Sequence, residues 1–226
     1  MNEGCGRKVG EFNCCTIVHG DSRECLPRIP DGYIHLALTD PPYGIGLEYD
    51  GYNDTEENLH NLVQTVIPEM LRLSPLTMIT SGIRNIFLYP QPTWILCWYY
   101  NNGQFRSPWG FSCWQPILCY GKEPSLANGL GSKPDVINMP CNSIDSIHPC
   151  PKPTKIWRHL ILRAFPTFTE NSVQIRRVLD PFSGAGTTAR MCRALGIHYL
   201  CFEQSRKYWE ESVYLLDNTP GQMFED

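Results

Sequence analysis

Two kinds of apolar pattern alternate along the chain. Short continuous apolar runs bounded by Gly, Pro, Asn or Asp are typical of buried strands, and they occur at residues 15–19, 34–39, 76–80, 93–100, 116–120, 174–179 and 198–202. Between them, helical spacing or capping residues predict helices at residues 22–29, 54–73, 152–164, 187–195 and 205–216. This alternation predicts an α/β fold with a three-layer, mostly parallel sheet. The two runs between 93 and 120 are expected to pair as an antiparallel edge hairpin.

Several segments show neither a continuous apolar run nor helical spacing. Residues 1–13 predict a frayed leader, and residues 44–52, which hold three glycines, predict a mobile loop. Residues 101–115 contain Gly, Pro and Trp, and residues 121–151 are rich in Gly, Pro, Asn and Ser. Unstructured segments as long as the second one are usually functional or disordered. Residues 218–226 predict a flexible tail.

The composition agrees with a single domain that spans residues 1–226. Apolar residues make up 42% of the chain and aromatic residues 12%, which is enough for a core at this length. The longest candidate run, residues 94–100, is far shorter than the ~20 residues of a membrane span. Residues 1–12 lack the apolar stretch of a signal peptide. We therefore expect a cytoplasmic protein.

The chain contains eleven cysteines, an odd and large number. They form no C-x-x-C pair, the spacing typical of zinc ribbons. Cys97, Cys119, Cys192 and Cys201 lie inside apolar segments. We therefore expect most cysteines to be reduced, buried and small hydrophobic side chains, and the sequence predicts no metal site.

Charge is distributed unevenly around a formal net charge of −4. Residues 75–155 hold six Lys and Arg against three Asp and Glu, and this basic part is also the richest in aromatic residues. Basic charge interleaved with aromatic rings is typical of a surface on which nucleic-acid bases stack. A packed antiparallel core with a few surface cations has the same composition, so both interpretations stay open.

Four acidic residues stand at the ends of predicted strands, namely Asp21, Asp40, Asp180 and Glu203. Parallel strands end at the same edge of a sheet, and α/β sheets bind their ligands outside the carboxyl ends of the strands. The sequence therefore predicts one ligand site that these carboxylates share.

The tetrapeptide Asp40-Pro41-Pro42-Tyr43 follows the strand at 34–39. Its prolines fix φ at about −65° and donate no N–H, so the backbone is stiff and offers only carbonyl acceptors. Rigid acceptors beside an aromatic ring suit a planar base that carries an amino group. A strand-end turn with a capping Asp is the alternative interpretation of these four residues.

Residues Asp180–Thr188 predict a glycine turn that joins the end of the strand at 174–179 to the start of a helix. The glycines at 184 and 186 let the backbone approach a ligand closely, and Thr187-Thr188 suits a helix cap. Glu203 ends the next strand, where nucleoside-binding folds place the acid that accepts hydrogen bonds from ribose hydroxyls. A phosphate site is less attractive, because Asp180 would face the anion and no Gly-Lys-Ser/Thr is present.

The two motifs, Asp40–Tyr43 and Asp180–Thr188, together resemble those of the S-adenosylmethionine-dependent DNA amino-methyltransferases. The catalytic motif precedes the cofactor motif, which is the order of the permuted β-type group. Gly20-Asp21, Lys152-Pro153 at the start of a helix, and Glu203 are further matches. The resemblance extends over residues 15–217 and implies a Rossmann-like methyltransferase fold.

The resemblance also implies a role for each matched residue. The target would be the exocyclic N6 of an adenine flipped out of DNA, and the catalytic residues would be Asp40, Pro41, Pro42 and Tyr43. S-adenosylmethionine would be held by Asp21, Ser22, Lys152, Pro153, Asp180, Pro181, Phe182, Ser183, Gly184, Gly186, Thr187, Thr188 and Glu203. Glu203 would bind the ribose, and Asp21 the adenine amino group of the cofactor.

Alternatives to N6-adenine methylation remain. N4 of cytosine is the nearest, although the cytosine enzymes usually carry Ser where this chain has Asp40. A catalytically inactive nucleic-acid-binding relative is another, as is a methyltransferase acting on an RNA base or a protein glutamine. Methylation at C5 of cytosine is rejected, because Pro140-Cys141 and Pro149-Cys150, the candidate nucleophile pairs, lie in irregular sequence and not at a strand end.

Large members of this family insert a target-recognition domain between the two motifs. Here the intervening chain supplies sheet strands and the segments 101–115 and 121–151, so we expect these to be reduced target-recognition segments. A short or degenerate recognition site follows, with help from a homodimer partner or a second subunit. The compact plan suits restriction-modification in the cytoplasm of a prokaryotic or phage-infected cell.

Overall fold

The computed structural model describes residues 2–100, 105–140, 152–167 and 175–220. The strands within these residues, in chain order, are β1 (Lys8–Val9), β2 (Phe12–Asn13), β3 (Thr16–His19), β4 (Leu36–Thr39), β5 (Glu48–Tyr49), β6 (Tyr52–Asn53), β7 (Thr77–Thr80), β8 (Trp94–Tyr99), β9 (Phe105–Ser107), β10 (Gly110–Ser112), β11 (Trp114–Tyr120), β12 (Val136–Asn138), β13 (Arg177–Asp180) and β14 (His198–Glu203). The helices are α1 (Ser22–Cys25), α2 (Glu56–Leu73), α3 (Pro124–Ala127), α4 (Thr154–Ala164), α5 (Thr187–Ala194) and α6 (Arg206–Asp217), with 3₁₀ turns at Leu26–Arg28 and Ile86–Leu88.

Eight strands form the main sheet in the order β12-β8-β11-β7-β4-β13-β14-β3. Among these eight, β11 alone runs against the others, because it pairs antiparallel with both β7 and β8. The α/β class and the mostly parallel sheet are thus confirmed. The antiparallel β8–β11 pair lies toward one end of the sheet, and β12 pairs in parallel with the outer side of β8.

Burial along the central strands shows why the sheet has three layers. Every residue of β4 and of β7 is buried, although successive side chains of a strand point to opposite faces. Both faces must therefore be covered, which is typical of parallel sheets. Among the helices, α5 packs on β13 and β14, and α6 packs on β3 and β14.

Helix α2 illustrates how local sequence and packing agree. The hydroxyl of Thr55 caps its first turn by accepting a hydrogen bond from the N–H of Asn58, and two glutamates occupy that turn. Its apolar stripe, which includes Leu59, Val66 and Met70, is buried in the core. The helix predicted at residues 54–73 and the observed α2 agree within two residues at each end.

Three segments predicted as loops contain short regular elements, and the segment 1–13, predicted to be a frayed leader, contains the β1–β2 hairpin. Residues 44–52 enter the β5–β6 hairpin, residues 101–115 contain the β9–β10 hairpin, and residues 121–151 supply α3 and β12. Two-residue and three-residue strands leave too short a pattern for periodicity to show. Residues 101–104, 141–151, 168–174 and 221–226, which include part of the predicted tail and of a predicted strand, lie outside the described residues.

The sheet brings the strand-end acids to one edge. Asp21 lies two residues beyond β3, Asp40 directly follows β4, and Asp180 and Glu203 are the last residues of β13 and β14. Since β4, β13, β14 and β3 are neighbouring parallel strands, their carboxyl ends meet, as the sequence predicted. Within the described part of the chain, no helix has the length and apolar character needed to cross a membrane.

Candidate active site

A cleft of about 600 Å³, including its open mouth, lies at this edge of the sheet. Its walls come from the carboxyl ends of β3, β4, β13 and β14 and from the β5–β6 hairpin. The lining residues are Gly20, Asp21, Ser22, Asp40, Pro42, Tyr49, Asp50, Tyr52, Leu62, Pro181, Phe182, Gly184, Glu203, Gln204 and Tyr208. Four of them are acidic and none is Lys or Arg.

Asp40 is held by three side chains, of which Thr80 and Lys152 come from distant parts of the sequence. Its Oδ2 lies 2.8 Å from Nζ of Lys152, and its Oδ1 accepts hydrogen bonds from the hydroxyls of Tyr43, at 2.5 Å, and Thr80. Lys152 is buried, and the Asp40 side chain is 15% exposed. The carboxylate therefore has a fixed orientation and a buried counter-charge at the cleft.

The hydroxyl of Tyr43 uses its full hydrogen-bonding capacity. It donates to Asp40 and accepts from Nζ of Lys152, at 2.7 Å, and from the side-chain amide of Gln115. The ring lies against Gly82, where an added Cβ would come within 3.3 Å of the Tyr43 Cγ. Gly82 also has φ of +62°, so two independent constraints favour glycine there. The ring is thus fixed before any ligand arrives.

The prolines of the tetrapeptide occupy different depths. Pro41 is buried, while Pro42 is half-buried and lines the cleft. Beyond Tyr43 the backbone is fastened by the side chain of Asn85, which donates to the Tyr43 carbonyl at 2.8 Å. These contacts keep the end of β4 rigid.

Asp180 is buried, and its carboxylate is engaged by neighbouring protein groups. Its Oδ1 accepts from the Thr39 hydroxyl, at 2.6 Å, and from the N–H of Phe182, at 3.1 Å, and its Oδ2 accepts from the Thr188 hydroxyl. The Thr188 oxygen in turn accepts from the Trp157 indole, at 2.7 Å. Burial raises the pKa of Asp180 to about 6, and these hydrogen bonds oppose that rise. Asp180 therefore ties the start of the glycine turn to β4 and α5.

Glu203 joins the glycine turn to the end of β14. Its Oε2 accepts from the N–H of Gly184 and its Oε1 from the N–H of Ser205, both at 2.8 Å. Burial raises the pKa of Glu203 to about 7, and the two backbone donors oppose the rise. A carboxylate has about four acceptor positions, so Glu203 retains capacity for hydroxyl donors from the cleft.

Asp21 and Ser22 lie at the end of β3. The Asp21 side chain caps α1 by accepting from the N–H of Arg23 at 2.9 Å, and the Arg23 guanidinium pairs with the same carboxylate. Partial burial raises the pKa of Asp21, but the hydrogen bonds and charge of Arg23 outweigh this and lower it below its usual range. Asp21 is thus a helix cap that also faces the cleft, and Ser22 is buried beside it.

The other predicted cofactor residues form the floor of the site. Pro181, Phe182 and Gly184 line the cleft. Gly186 caps α5 in a left-handed conformation, φ +74°, and an added Cβ would lie 3.0 Å from the side chain of a serine in α6. Six further predicted cofactor residues do not line the cleft and are buried around it, namely Lys152, Pro153, Asp180, Ser183, Thr187 and Thr188.

Asp54 orders the loop that borders the cleft, a role that the sequence did not reveal. It is 1% exposed and accepts backbone hydrogen bonds from Gly44, Ile45 and Leu47 at 2.6, 3.1 and 3.0 Å. An acid before a helix is typical of a favourable N-terminal charge, which is why its role in folding the loop after Tyr43 was not apparent.

The loop itself was predicted to be mobile, yet it forms a wall of the cleft. Asp50 accepts from the Ser205 hydroxyl at 2.6 Å, and the N–H of Asp50 donates to the Tyr208 hydroxyl at 3.2 Å. Tyr49 and Tyr52 are the aromatic side chains that the hairpin contributes to the lining. The alternation of Glu48 to Asn53 is too short to have signalled this hairpin.

The fold, with acids at the ends of its parallel strands, resembles that of Rossmann-like methyltransferases. Residues 106–214 match the model of the N6/N4 methyltransferase family, described as DNA methylase. The chain is 24% identical to DNA adenine methyltransferase YhdJ of Escherichia coli K12, over 96% of this chain and 87% of the relative. The chain thus resembles the DNA amino-methyltransferases, as its motifs predicted.

Solved structures share the fold. The PvuII DNA methyltransferase, which is cytosine-N4-specific, superposes with a TM-score of 0.65 at 14% identity, covering 88% of this chain and 85% of that one. TTHA0409 of Thermus thermophilus is described as a DNA modification methylase and is complexed with S-adenosyl-L-methionine. It superposes with a TM-score of 0.61 at 22% identity, covering 90% of this chain and 93% of that one.

Proposed function

We propose that this protein transfers the methyl group of S-adenosylmethionine to N6 of an adenine in DNA. One observation carries the proposal: Asp40 of the Asp-Pro-Pro-Tyr motif lines the same cleft as Gly184 of the glycine turn and Glu203 at the end of β14. A base held at Asp40 and a nucleoside held at Glu203 would then lie side by side. Transfer between two bound ligands requires that arrangement.

The cleft fits the proposed cofactor by its charge. S-adenosylmethionine supplies an electrophilic methyl group on a positively charged sulfonium and carries an ammonium group as well. The lining holds Asp21, Asp40, Asp50 and Glu203 and no basic residue. Lys152 and Arg23 balance the charges of Asp40 and Asp21 from outside the lining, so Asp50 and Glu203 are the acids that favour a cationic ligand over a phosphate-bearing one. Glu203 would accept from the ribose hydroxyls, and Asp21 from the adenine amino group.

Asp180 and Lys152 take positioning roles in this proposal. The Asp180 carboxylate fastens the glycine turn through Thr39, Phe182 and Thr188 and does not itself line the cleft. Lys152 supports Asp40 and Tyr43 from the buried side. Both residues would therefore act on cofactor and base through the groups that they hold.

The residues at the end of β4 would activate the base. The lone pair of an exocyclic amino group is delocalised into its ring, so the nitrogen is a poor nucleophile. Hydrogen bonds from that group to the Asp40 carboxylate and the Pro41 carbonyl would favour a tetrahedral nitrogen, and the carboxylate is placed to take up the proton released on transfer. Tyr43, fixed by its hydroxyl, would stack on the flipped base.

Adenine is favoured over cytosine by residue 40. This chain has Asp there, and the relative YhdJ is named as an adenine methyltransferase. N4-cytosine methylation is the second candidate, because the PvuII enzyme shares the fold and is cytosine-N4-specific. An inactive nucleic-acid-binding relative is the third.

The β9–β10 hairpin is the proposed DNA-contacting element. Its turn exposes Trp109, 99% exposed, and its second strand exposes Phe111, 69% exposed. Aromatic side chains that water surrounds are candidates for stacking on bases. The described part of residues 121–151 contains α3 and β12. The proposed target-recognition segments would therefore be small. We propose a short recognition site and a second copy or subunit that completes the DNA contact.

The deciding experiment is nucleoside analysis by mass spectrometry. Unmethylated DNA is incubated with the protein and S-adenosylmethionine carrying an isotopically labelled methyl group, then digested to nucleosides. Label in N6-methyldeoxyadenosine supports the proposal, and label in N4-methyldeoxycytidine supports the cytosine alternative. No label in either base, with cofactor binding intact by calorimetry, identifies an inactive relative.

A further inference from the structure

Three cysteines and one histidine converge at the opposite end of β14 from the cleft. Nδ1 of His198 lies 3.3 Å from Sγ of Cys5, 3.5 Å from Sγ of Cys14 and 3.4 Å from Sγ of Cys15. All four atoms lie within 4.8 Å of one another. Cys14, Cys15 and His198 are buried, Cys5 is half-buried, and all three cysteines are free thiols.

Hydrogen bonding alone does not account for this convergence. A neutral imidazole nitrogen that accepts has one in-plane lone pair, so Nδ1 satisfies one thiol donor. Thiols are weak donors, and Cys14 has an alternative acceptor in the Tyr199 carbonyl at 3.9 Å. Three sulfur atoms nevertheless approach the same nitrogen, which is the arrangement of ligand atoms around a common centre.

The three nitrogen–sulfur separations match the nitrogen–sulfur edges of a metal tetrahedron. Zinc binds sulfur at about 2.3 Å and imidazole nitrogen at about 2.0–2.1 Å, usually with tetrahedral angles. Those values place sulfur and nitrogen about 3.5 Å apart, close to the three distances around His198. Soft thiolates with one imidazole select zinc among the common divalent metals.

The backbone is built to bring these ligands together. The β1–β2 hairpin joins Cys5 to Cys14, and the N–H of Cys5 donates to the Cys14 carbonyl at 3.2 Å, closing the loop. Cys15 adopts the left-handed conformation, with φ of 62°, which is uncommon for a residue with a side chain. That turn allows two adjacent cysteines to face the same point.

We propose that Cys5, Cys14, Cys15 and His198 form a structural zinc site. Four protein ligands fill the tetrahedral positions, as in closed structural sites. The site lies roughly 16 Å from Glu203 at the other end of the strand, since a strand rises about 3.3 Å per residue. Zinc there would fasten the N-terminal hairpin to the start of β14 without touching the ligands of the cleft.

The site was not apparent from the sequence because its ligands are not regularly spaced. Cys14 and Cys15 are adjacent, Cys5 precedes them by one hairpin, and His198 comes from the far end of the chain. These spacings do not resemble the C-x-x-C pairs of a zinc ribbon, so the sequence predicted no metal site. Only the parallel pairing of β14 with β3 brings His198 beside Cys14 and Cys15.

The test measures metal in the full-length protein, purified under reducing conditions without a metal-binding tag. We expect one zinc ion per chain by mass spectrometry of the metal. Replacing zinc with cobalt should give the strong visible absorption of tetrahedral cobalt and the near-ultraviolet charge-transfer band of thiolate ligands. A chelator should lower the midpoint of thermal unfolding, and added zinc should restore it.

Matched variants identify the ligands. Cys14→Ser and His198→Gln should each lose the bound zinc and the tetrahedral cobalt spectrum. Cys25→Ser, which alters a buried thiol outside the cluster, should retain both. Wild-type stoichiometry and the cobalt spectrum decide the question even where a variant fails to fold.

Three results would overturn the site. The wild-type protein could contain no zinc and develop no tetrahedral cobalt spectrum on titration. Mass spectrometry of the unreduced protein could find a disulfide between two of the three cysteines. The variants Cys14→Ser and His198→Gln could also bind zinc as the wild type does.

Discussion

The ammonium of Lys152 and the carboxylate of Asp40 form an ion pair of 2.8 Å at the cleft, although Lys152 lies just before α4 and Asp40 just after β4. Both groups also contact the hydroxyl of Tyr43. Removing one member of a buried pair leaves the other charge without compensation, which typically costs about 3–5 kcal/mol. Catalytic and structural effects at Asp40 are therefore mixed, and an experiment must separate them.

Asp40→Ala should lose methyl transfer by a factor of about 10²–10³ or more, because the group that would hold the amino nitrogen is gone. It should also lower the free energy of unfolding, since Lys152 stays buried without its partner. Calorimetry at a temperature where the variant is folded should show S-adenosylmethionine binding close to wild type.

The double variant Asp40→Ala/Lys152→Ala separates the two effects. It should regain part of the lost stability in urea unfolding, because no buried charge is left unpaired, while methyl transfer stays absent. If the double variant regained methyl transfer as well, Asp40 would have no role in activating the base.

Asp180→Ala should act first on stability. The substitution leaves the Thr39 and Thr188 hydroxyls and the N–H of Phe182 without their acceptor, and each unsatisfied buried group costs about 1–3 kcal/mol. Urea unfolding should show a loss of several kcal/mol, and Thr39→Val, which removes one of the three bonds, should show a smaller loss. A variant with unchanged unfolding and weakened cofactor binding would contradict the positioning role.

Trp109→Ala should weaken DNA binding without changing stability. The ring is almost completely exposed, so its removal costs no packing, whereas a lost stacking contact with a base is worth about 1–3 kcal/mol. Fluorescence anisotropy with labelled DNA measures the affinity. Tyr214→Ala is the control, because Tyr214 is exposed on α6, which packs at the β3 end of the sheet, away from β8 and β11. Equal effects of both substitutions would remove the hairpin from the DNA interface.

The sequence revealed the parts of the site that depend on local pattern. Asp40, Asp180 and Glu203 were found because each stands where an apolar run stops, and the parallel sheet then brings them to one edge. Side chains that act across the fold were not found. Thr80 and Gln115, which contact Asp40 and Tyr43, are ordinary strand residues until β7 and β11 pair.

The same distinction explains the errors in the loops. The β5–β6 hairpin depends on Asp54, whose carboxylate fixes three backbone N–H groups of the preceding loop, and on Asp50, which bonds to Ser205. A window of a few residues holds no periodicity that would show either contact. Tertiary hydrogen bonds therefore order a segment whose glycine content indicated mobility.

Glu203 should make cofactor affinity and protein stability respond to pH in opposite directions. Its pKa of about 7 lies above its ordinary value of 4.5 because the carboxyl is buried. In the proposed function the ribose hydroxyls would donate to the ionised form, so affinity should rise with pH. If only that form binds, S-adenosylmethionine should bind roughly tenfold more tightly at pH 8 than at pH 6.

The free energy of unfolding should fall as the pH rises, whereas cofactor affinity should increase. A raised pKa in the folded state means that the folded protein holds a proton which the unfolded chain has already released between pH 4.5 and about 7. The stabilisation is complete below pH 4.5 and is lost as the pH rises through 7, and Asp180, with its pKa of about 6, adds to the loss. Urea unfolding and calorimetry at a series of pH values across this range measure both trends. Glu203→Gln should abolish the pH dependence of affinity and remove the Glu203 contribution to the stability trend; an unchanged affinity profile would exclude Glu203 from the ribose site.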